Sequence, residues 1–162
     1  EAFRKFKKIH GRGGWKLVLA GYAQNGIENE YIRQLASISD GNVQMLFNIS
    51  REKIAELYSR CYATLFCARD EDWGFVPVEA MASRKPVISV NEGGPTESIL
   101  DGKTGYLVNS TDEMAQRMEL LAGNPEMAES MGRAGRKRVL GNFTKEMYLG
   151  KLGKIIRKTA KM

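Results

Sequence analysis

Two glutamates, Glu71 and Glu79, bracket a glycine in the run EDWGFVPVEAMA. The run follows an apolar, strand-like stretch, Ala63 to Cys67. It precedes a helix-like stretch, Val76 to Ser83, and a second apolar stretch, Pro86 to Val90. One carboxylate therefore sits in a strand-to-helix loop, and the other in the first turns of the helix. In an open parallel sheet such loops lie at the carboxyl ends of the strands, where these folds bind ligands. A helix start offers backbone N–H groups and the positive end of the dipole, which suit phosphate. Carboxylates accept hydrogen bonds from hydroxyls. Two carboxylates beside an anion site suit a ligand with both hydroxyls and phosphates, such as a nucleotide sugar.

The rest of the chain must hold that loop. Glu1–His10 reads as a helix with Phe3, Phe6 and Ile9 on one face, and Gly11–Gly14 breaks it. Lys16–Ala20 reads as a strand ending at Gly21. A loop around Gly26 leads to a helix over Glu28–Ser39 that presents Ile32, Leu35 and Ala36. Asp40-Gly41-Asn42 is a turn signal before a strand at Val43–Phe47. Ser50 is a good N-cap for a helix over Arg51–Arg60, whose stripe is Ile54, Leu57 and Tyr58. Pro77 sits at a helix start, where its missing N–H costs nothing. Thr96–Leu100 reads as a short helix and Gly105–Val108 as a short strand. Ser110 or Thr111 caps a helix over Asp112–Leu121, Pro125 opens another through Leu140, and Phe143–Lys161 is the last. Strands alternate with helices throughout. The predicted fold class is therefore α/β, a Rossmann-like, doubly wound parallel sheet with helices on both faces.

Composition narrows the classes. The chain has 162 residues, 43% apolar and 27% charged, enough for one domain with a core. No stretch approaches the roughly 20 apolar residues of a membrane span. The charged, amphipathic start EAFRKFKKIH is not a signal peptide. It also lacks an initial Met, so the chain is expected to be a piece of a longer polypeptide, in the cytoplasm or at the cytoplasmic face of a membrane. The net charge of +6 reads as a solvated basic surface, dense at Arg4–Lys8, Arg133–Arg138 and Lys151–Lys161. Its functional readings are attraction to a diphosphate donor or peripheral contact with anionic lipid. Nothing pairs these cations with aromatic platforms, so no nucleic-acid partner is expected. Cys61 and Cys67 are too few for a disulfide framework or a zinc site, and both are expected to be buried. The single His10 has no partner evident in the sequence and reads as a helix-end residue. No Ser-His-Asp set is available.

Five ordered motifs carry a resemblance. They are Glu71-x-x-Gly74-x4-Glu79, then Ala80-Met81-Ala82, then Lys85-Pro86-Val87-Ile88, then Gly93-Gly94-Pro95-x-Glu97, then Asp101-Gly102-x-x-Gly105-Tyr106-Leu107-Val108. From about Trp15 to Val108 the chain resembles the donor-binding, carboxy-terminal domain of retaining family 4 (group 1) glycosyltransferases. The resemblance implies one half of a GT-B two-domain enzyme. It implies retaining transfer of a sugar from a GDP- or UDP-sugar, GDP-mannose among them, with no metal and no cofactor. Glu71 would face the transferred sugar as the catalytic residue, and Glu79 would take the ribose hydroxyls. Trp73, Gly74, Phe75 and Val76 would line the donor through the loop backbone, Trp73 replacing a more usual Phe. Phe47, Asn48 and Ile49 would flank the base, with Phe47 where Gly is common. The acids of Asp70-Glu71-Asp72 match the donor loop better than a metal site. Gly93-Gly94 reads mainly as a turn, with close approach to the donor as its functional extra, and Glu97 as structural. Arg84 stands where Gly is usual and would cost about 1 kcal/mol if left-handed. The family's first strand, its Arg and Lys diphosphate loop and its acceptor domain are expected to be absent from this chain, which alone would be inactive.

Three rivals weigh against this. A nucleotide-sugar epimerase of the same architecture would need His and Arg around the glutamate loop, where the sequence has Arg69 but no His. A non-catalytic nucleotide-sugar-binding module would use the fold alone. A receiver-like signalling domain would need an acidic cluster at its first strand.

Overall fold

The computed structural model describes residues 1–11, 14–23 and 30–160. Eight helices and five strands are described: α1 (Ala2–His10), β1 (Leu17–Gly21), α2 (Glu30–Ile38), β2 (Val43–Phe47), α3 (Arg51–Arg60), β3 (Thr64–Phe66), α4 (Phe75–Ala82), β4 (Val87–Val90), α5 (Pro95–Ser98), β5 (Gly105–Val108), α6 (Thr111–Ala122), α7 (Pro125–Asn142) and α8 (Lys145–Thr159). This is the expected order. The loop placed around Gly26, the helix start at Glu28 and the chain end at Lys161 lie outside the described residues, as does Gly13.

Local chemistry sets the helix starts. Ser50 caps α3 by accepting from Lys53 N at 3.2 Å. Ser110, rather than Thr111, caps α6 by accepting from Glu113 N at 3.1 Å. Thr144 caps α8 through Met147 N, so that helix starts at Lys145 and not at Phe143. Arg84, just past α4, has φ 60°, so the left-handed conformation whose cost was weighed above is the one it adopts. α7 crosses so close there that a Cβ on Gly132 would lie 2.1 Å from Arg84 O.

All strand pairs are parallel, as expected, but they form two sheets, β1-β2 and β3-β4-β5. Among the described residues β1 pairs only with β2, and β3 only with β4. The larger sheet is covered on both faces. Successive strand residues point to opposite faces. Ile88, Tyr106 and Val108 pack with Met114, Leu121 and Met131 of α6 and α7. Val87 and Leu107 pack with Ala80 and Met81 of α4, Ile99 and Val139. A third cluster, Phe3, Phe6 and Ala115 with Trp15, Leu17 and Val43, lays α1 between α6 and the starts of β1 and β2. Met118 of α6 belongs to the first and third clusters, so α6 serves both sheets. Trp15, just before β1, meets Tyr62, just before β3, edge-on at 5.0 Å.

Three single-residue expectations change. His10 has a partner: its Nδ1 lies 2.9 Å from Glu119 Oε2, and its ring stacks on Phe6. Cys67 is exposed, because β3 stops at Phe66 and leaves it at the sheet's open end, and Cys61 is only half-buried. α8 has no buried residue and exposes Tyr148, Leu149, Leu152, Ile155 and Ile156. No described helix is long and apolar enough to cross a membrane.

Candidate donor site

The glutamate loop runs from the end of β3 to Gly74, the N-cap of α4. Gly74 is left-handed, φ 73° and ψ 71°, and buried. This conformation favours glycine and turns the chain into the helix. The side chain of Glu71 reaches forward, and its Oε1 accepts from Gly74 N at 2.9 Å. A carboxylate thus sits at the positive end of α4. Phe75 is 68% exposed at the helix start and Val76 is half-buried.

A second loop braces the first. Gly94 N donates to Glu71 O at 2.9 Å. A Cβ on Gly93 would lie 2.3 Å from Glu71 O, and one on Gly94 would lie 2.2 Å from Trp73 O. Those two glycines let the chain after β4 lie against the glutamate loop itself, a tighter role than the simple turn expected. Glu92 joins in. It accepts from Asp70 N at 3.0 Å and from Arg69 Nη1 at 3.4 Å. Trp73 meets Phe143 edge-on at 5.9 Å. Arg138 lies over Phe143 and donates to the carbonyls of Ser98 and Glu97, both at 2.7 Å, which places a cation at the negative end of α5. The sequence offered Arg138 only as part of a basic stretch and Phe143 only as a helix start, and did not mark Glu92, because their partners lie far along the chain.

An open cleft lies between the two loops, lined by Asp70, Glu71, Asp72, Glu92, Gly93, Gly94, Thr96 and Glu97. Among the described residues no three of His, Cys, Asp and Glu are grouped to hold a metal. Glu79 is not part of that lining. It stands exposed on α4, where its Oε2 accepts from Tyr58 Oη of α3 at 3.1 Å. Burial, and then the charge of Glu79, push the Tyr58 hydroxyl well above its ordinary value, so it stays protonated and donates. Tyr58 was legible only as part of an apolar stripe.

The third expected segment follows β2. Phe47 ends the strand, Asn48 is left-handed at φ 53° and Ile49 is half-buried. The Asn48 amide donates to Ala23 O at 3.0 Å and accepts from Ala23 N at 3.1 Å. Its side chain therefore ties the loop after β2 to the loop after β1.

The family model described as glycosyl transferases group 1 matches residues 1–138. The chain belongs to the group 1 glycosyl transferases. Within that family it is 32% identical over 151 residues to alpha-1,3/1,6-mannosyltransferase ALG2 of Dictyostelium discoideum, a match covering 88% of this chain and 36% of the relative. It is 33% identical over 150 residues to the Homo sapiens protein of the same name, with the same coverage. The chain thus spans just over a third of the length of these relatives. Among solved structures, Anabaena HepE in complex with UDP and glucose superposes with a TM-score of 0.79 at 19% identity, over 95% of this chain and 44% of that one. The C-terminal domain of the group 1 protein LpcC of Francisella tularensis superposes with a TM-score of 0.71 at 16% identity, over 90% of this chain and 94% of that one. These likenesses show the fold, a Rossmann-like domain of the GT-B architecture. The family and the fold class are those expected from the sequence.

Proposed function

We propose that this chain is the donor-binding half of an enzyme that transfers a hexose from a nucleoside diphosphate to an acceptor, with retention at the anomeric carbon. The observation that carries the reading is the Glu71 carboxylate, held at the start of α4 beside a cleft, in a chain of this family. Its Oε1 is engaged by Gly74 N, which leaves Oε2 to accept from hydroxyls of the sugar being transferred. Glu79, exposed on the same helix, accepts the ribose hydroxyls. The backbone of Trp73, Gly74, Phe75 and Val76 lines the donor, and the Phe47–Ile49 loop flanks its base. Relatives named as mannosyltransferases support mannose as the sugar, from GDP-mannose, and UDP in the HepE complex supports UDP as the alternative carrier.

The leaving diphosphate needs positive charge. Here the start of α4 and backbone amides supply part of it, with no metal. The cleft itself carries five carboxylates, Asp70, Glu71, Asp72, Glu92 and Glu97, and the nearby Arg69 is engaged by Glu92. The remaining cations, and the sugar, glycan or lipid-linked acceptor, belong to other parts of the whole protein. The chain by itself is therefore expected to turn nothing over, since proximity of donor and acceptor contributes several kcal/mol to such reactions.

Two substitutions in the whole protein test the assignment. Glu79→Gln should weaken nucleoside diphosphate binding by roughly ten- to hundredfold, the worth of a charged hydrogen bond. Glu71→Gln should spare that binding and lower the transfer rate. Calorimetry with GDP and UDP reads the first effect, and donor turnover reads the second. Reversed signatures would exchange the two roles, and two silent variants would remove the chemical basis of the reading.

A further inference from the structure

We propose that Tyr58 is the positioning residue for Glu79, and that its hydroxyl makes the site discriminate a ribonucleoside diphosphate from its 2′-deoxy counterpart. The inference rests on the reading of Glu79 as the ribose acceptor. Its own support is geometric. The Tyr58 ring packs against the cluster of Ala80, Met81, Val87, Ile99 and Val139, beneath the turn of α4 that follows Glu79. The ring is thus held by the core, while the hydroxyl emerges 3.1 Å from Glu79 Oε2. Glu79 itself is exposed. An exposed glutamate is rotamer-rich and loses that freedom when it grips a ligand. A donor anchored in the core fixes the carboxylate before the ligand arrives.

The chemistry of the donor matters. A phenol donates one hydrogen bond and leaves the carboxylate its full charge, whereas a Lys or Arg in that place would neutralise it. One site on Oε2 is used, and the remaining acceptor sites on Oε2 and Oε1 stay open to two neighbouring hydroxyls. Burial and the adjacent negative charge keep the phenol protonated across the working pH range, so the donation does not switch off. α3 therefore contributes to the donor site through α4 without touching the ligand.

The test measures affinities of the full protein for UDP, GDP, 2′-deoxy-UDP and 2′-deoxy-GDP by calorimetry. It uses wild type, Glu79→Gln and Tyr58→Phe. Phenylalanine keeps the ring and its packing, and a melting curve monitors the fold. Wild type should prefer the ribose forms by tenfold or so, and Tyr58→Phe should shrink that preference by about three- to tenfold while lowering deoxy affinity by less, since a deoxyribose keeps one of the two hydroxyls. If Glu79→Gln erases the preference and Tyr58→Phe keeps it, the positioning role is overturned and the ribose reading stands. If wild type shows no preference or no binding, or if Glu79→Gln retains the preference, the ribose reading falls and the Tyr58 proposal with it. An equal loss for ribose and deoxy forms in Tyr58→Phe would mark packing alone and overturn the proposal.

Discussion

β1 and β4 are similarly apolar strands in different surroundings. β1 reads LVLAG and β4 reads VISV. β4 is paired on both edges, to β3 and β5, and its Val87, Ile88 and Ser89 are wholly buried. β1 is paired on one edge among the described residues, and its Val18 is 37% exposed. The glycines repeat the contrast. In the first part of the chain Gly11, Gly14, Gly21 and Gly41 have no atom near the place a Cβ would take. Around the larger sheet Gly93, Gly94, Gly105 and Gly132 each have a backbone oxygen within 2.4 Å of it. The difference teaches that burial follows the neighbours a strand acquires, not its own apolarity. It also places the candidate site on the tightly packed side, where two loops can be held against one another.

Core truncation should open the widest gap between the two regions. Ile88→Ala should cost about 2–5 kcal/mol, because the side chain is fully enclosed and its cavity can only partly collapse. Val18→Ala should cost less than about 1 kcal/mol at its exposed position. Urea unfolding of both variants measures this, and equal losses would break the comparison.

A glycine pair comes next. Gly94→Ala should cost about 1–3 kcal/mol, since the new methyl meets Trp73 O and must push the glutamate loop away. Gly41→Ala, with open space, should change stability by no more than about 0.5 kcal/mol. Thermal melts read both, and the Gly94 variant should also lose nucleotide affinity in the whole protein.

The smallest effect concerns the exposed tie between α1 and the turn before β2. Lys7 Nζ lies 2.7 Å from Asp40 Oδ2. That ion pair, with the backbone N–H of Asn42, holds the Asp40 carboxyl below its ordinary 3.8. A lowered folded value means the contribution is present above the ordinary carboxylate range and is lost as pH falls through the folded value. Lys7→Ala should therefore flatten the fall in melting temperature below about pH 4. Added salt should shrink the difference between variant and wild type.

The sequence by itself determined what depends on near neighbours along the chain. Apolar spacing marked the order of helices and strands, and alternation of the two implied parallel pairing. Ser50 announced the start of α3. The spacing of Glu71, Gly74 and Glu79 placed a carboxylate on each side of a helix start. All of these rest on contacts a few residues long, which composition and period encode directly. The tertiary structure decided which groups meet across longer separations. It divided the strands into two sheets, because pairing depends on which edges meet and not on any one strand's pattern. It spent both ends of the Asn48 amide on Ala23, 25 residues away, and set Glu119 against His10, 109 residues away. It pressed Gly93 and Gly94 onto the Glu71–Trp73 backbone, where a turn alone was legible. It also turned an apolar-stripe tyrosine into a donor for Glu79, 21 residues on. A side chain's type is written in the sequence, but its partner exists only once the chain has folded.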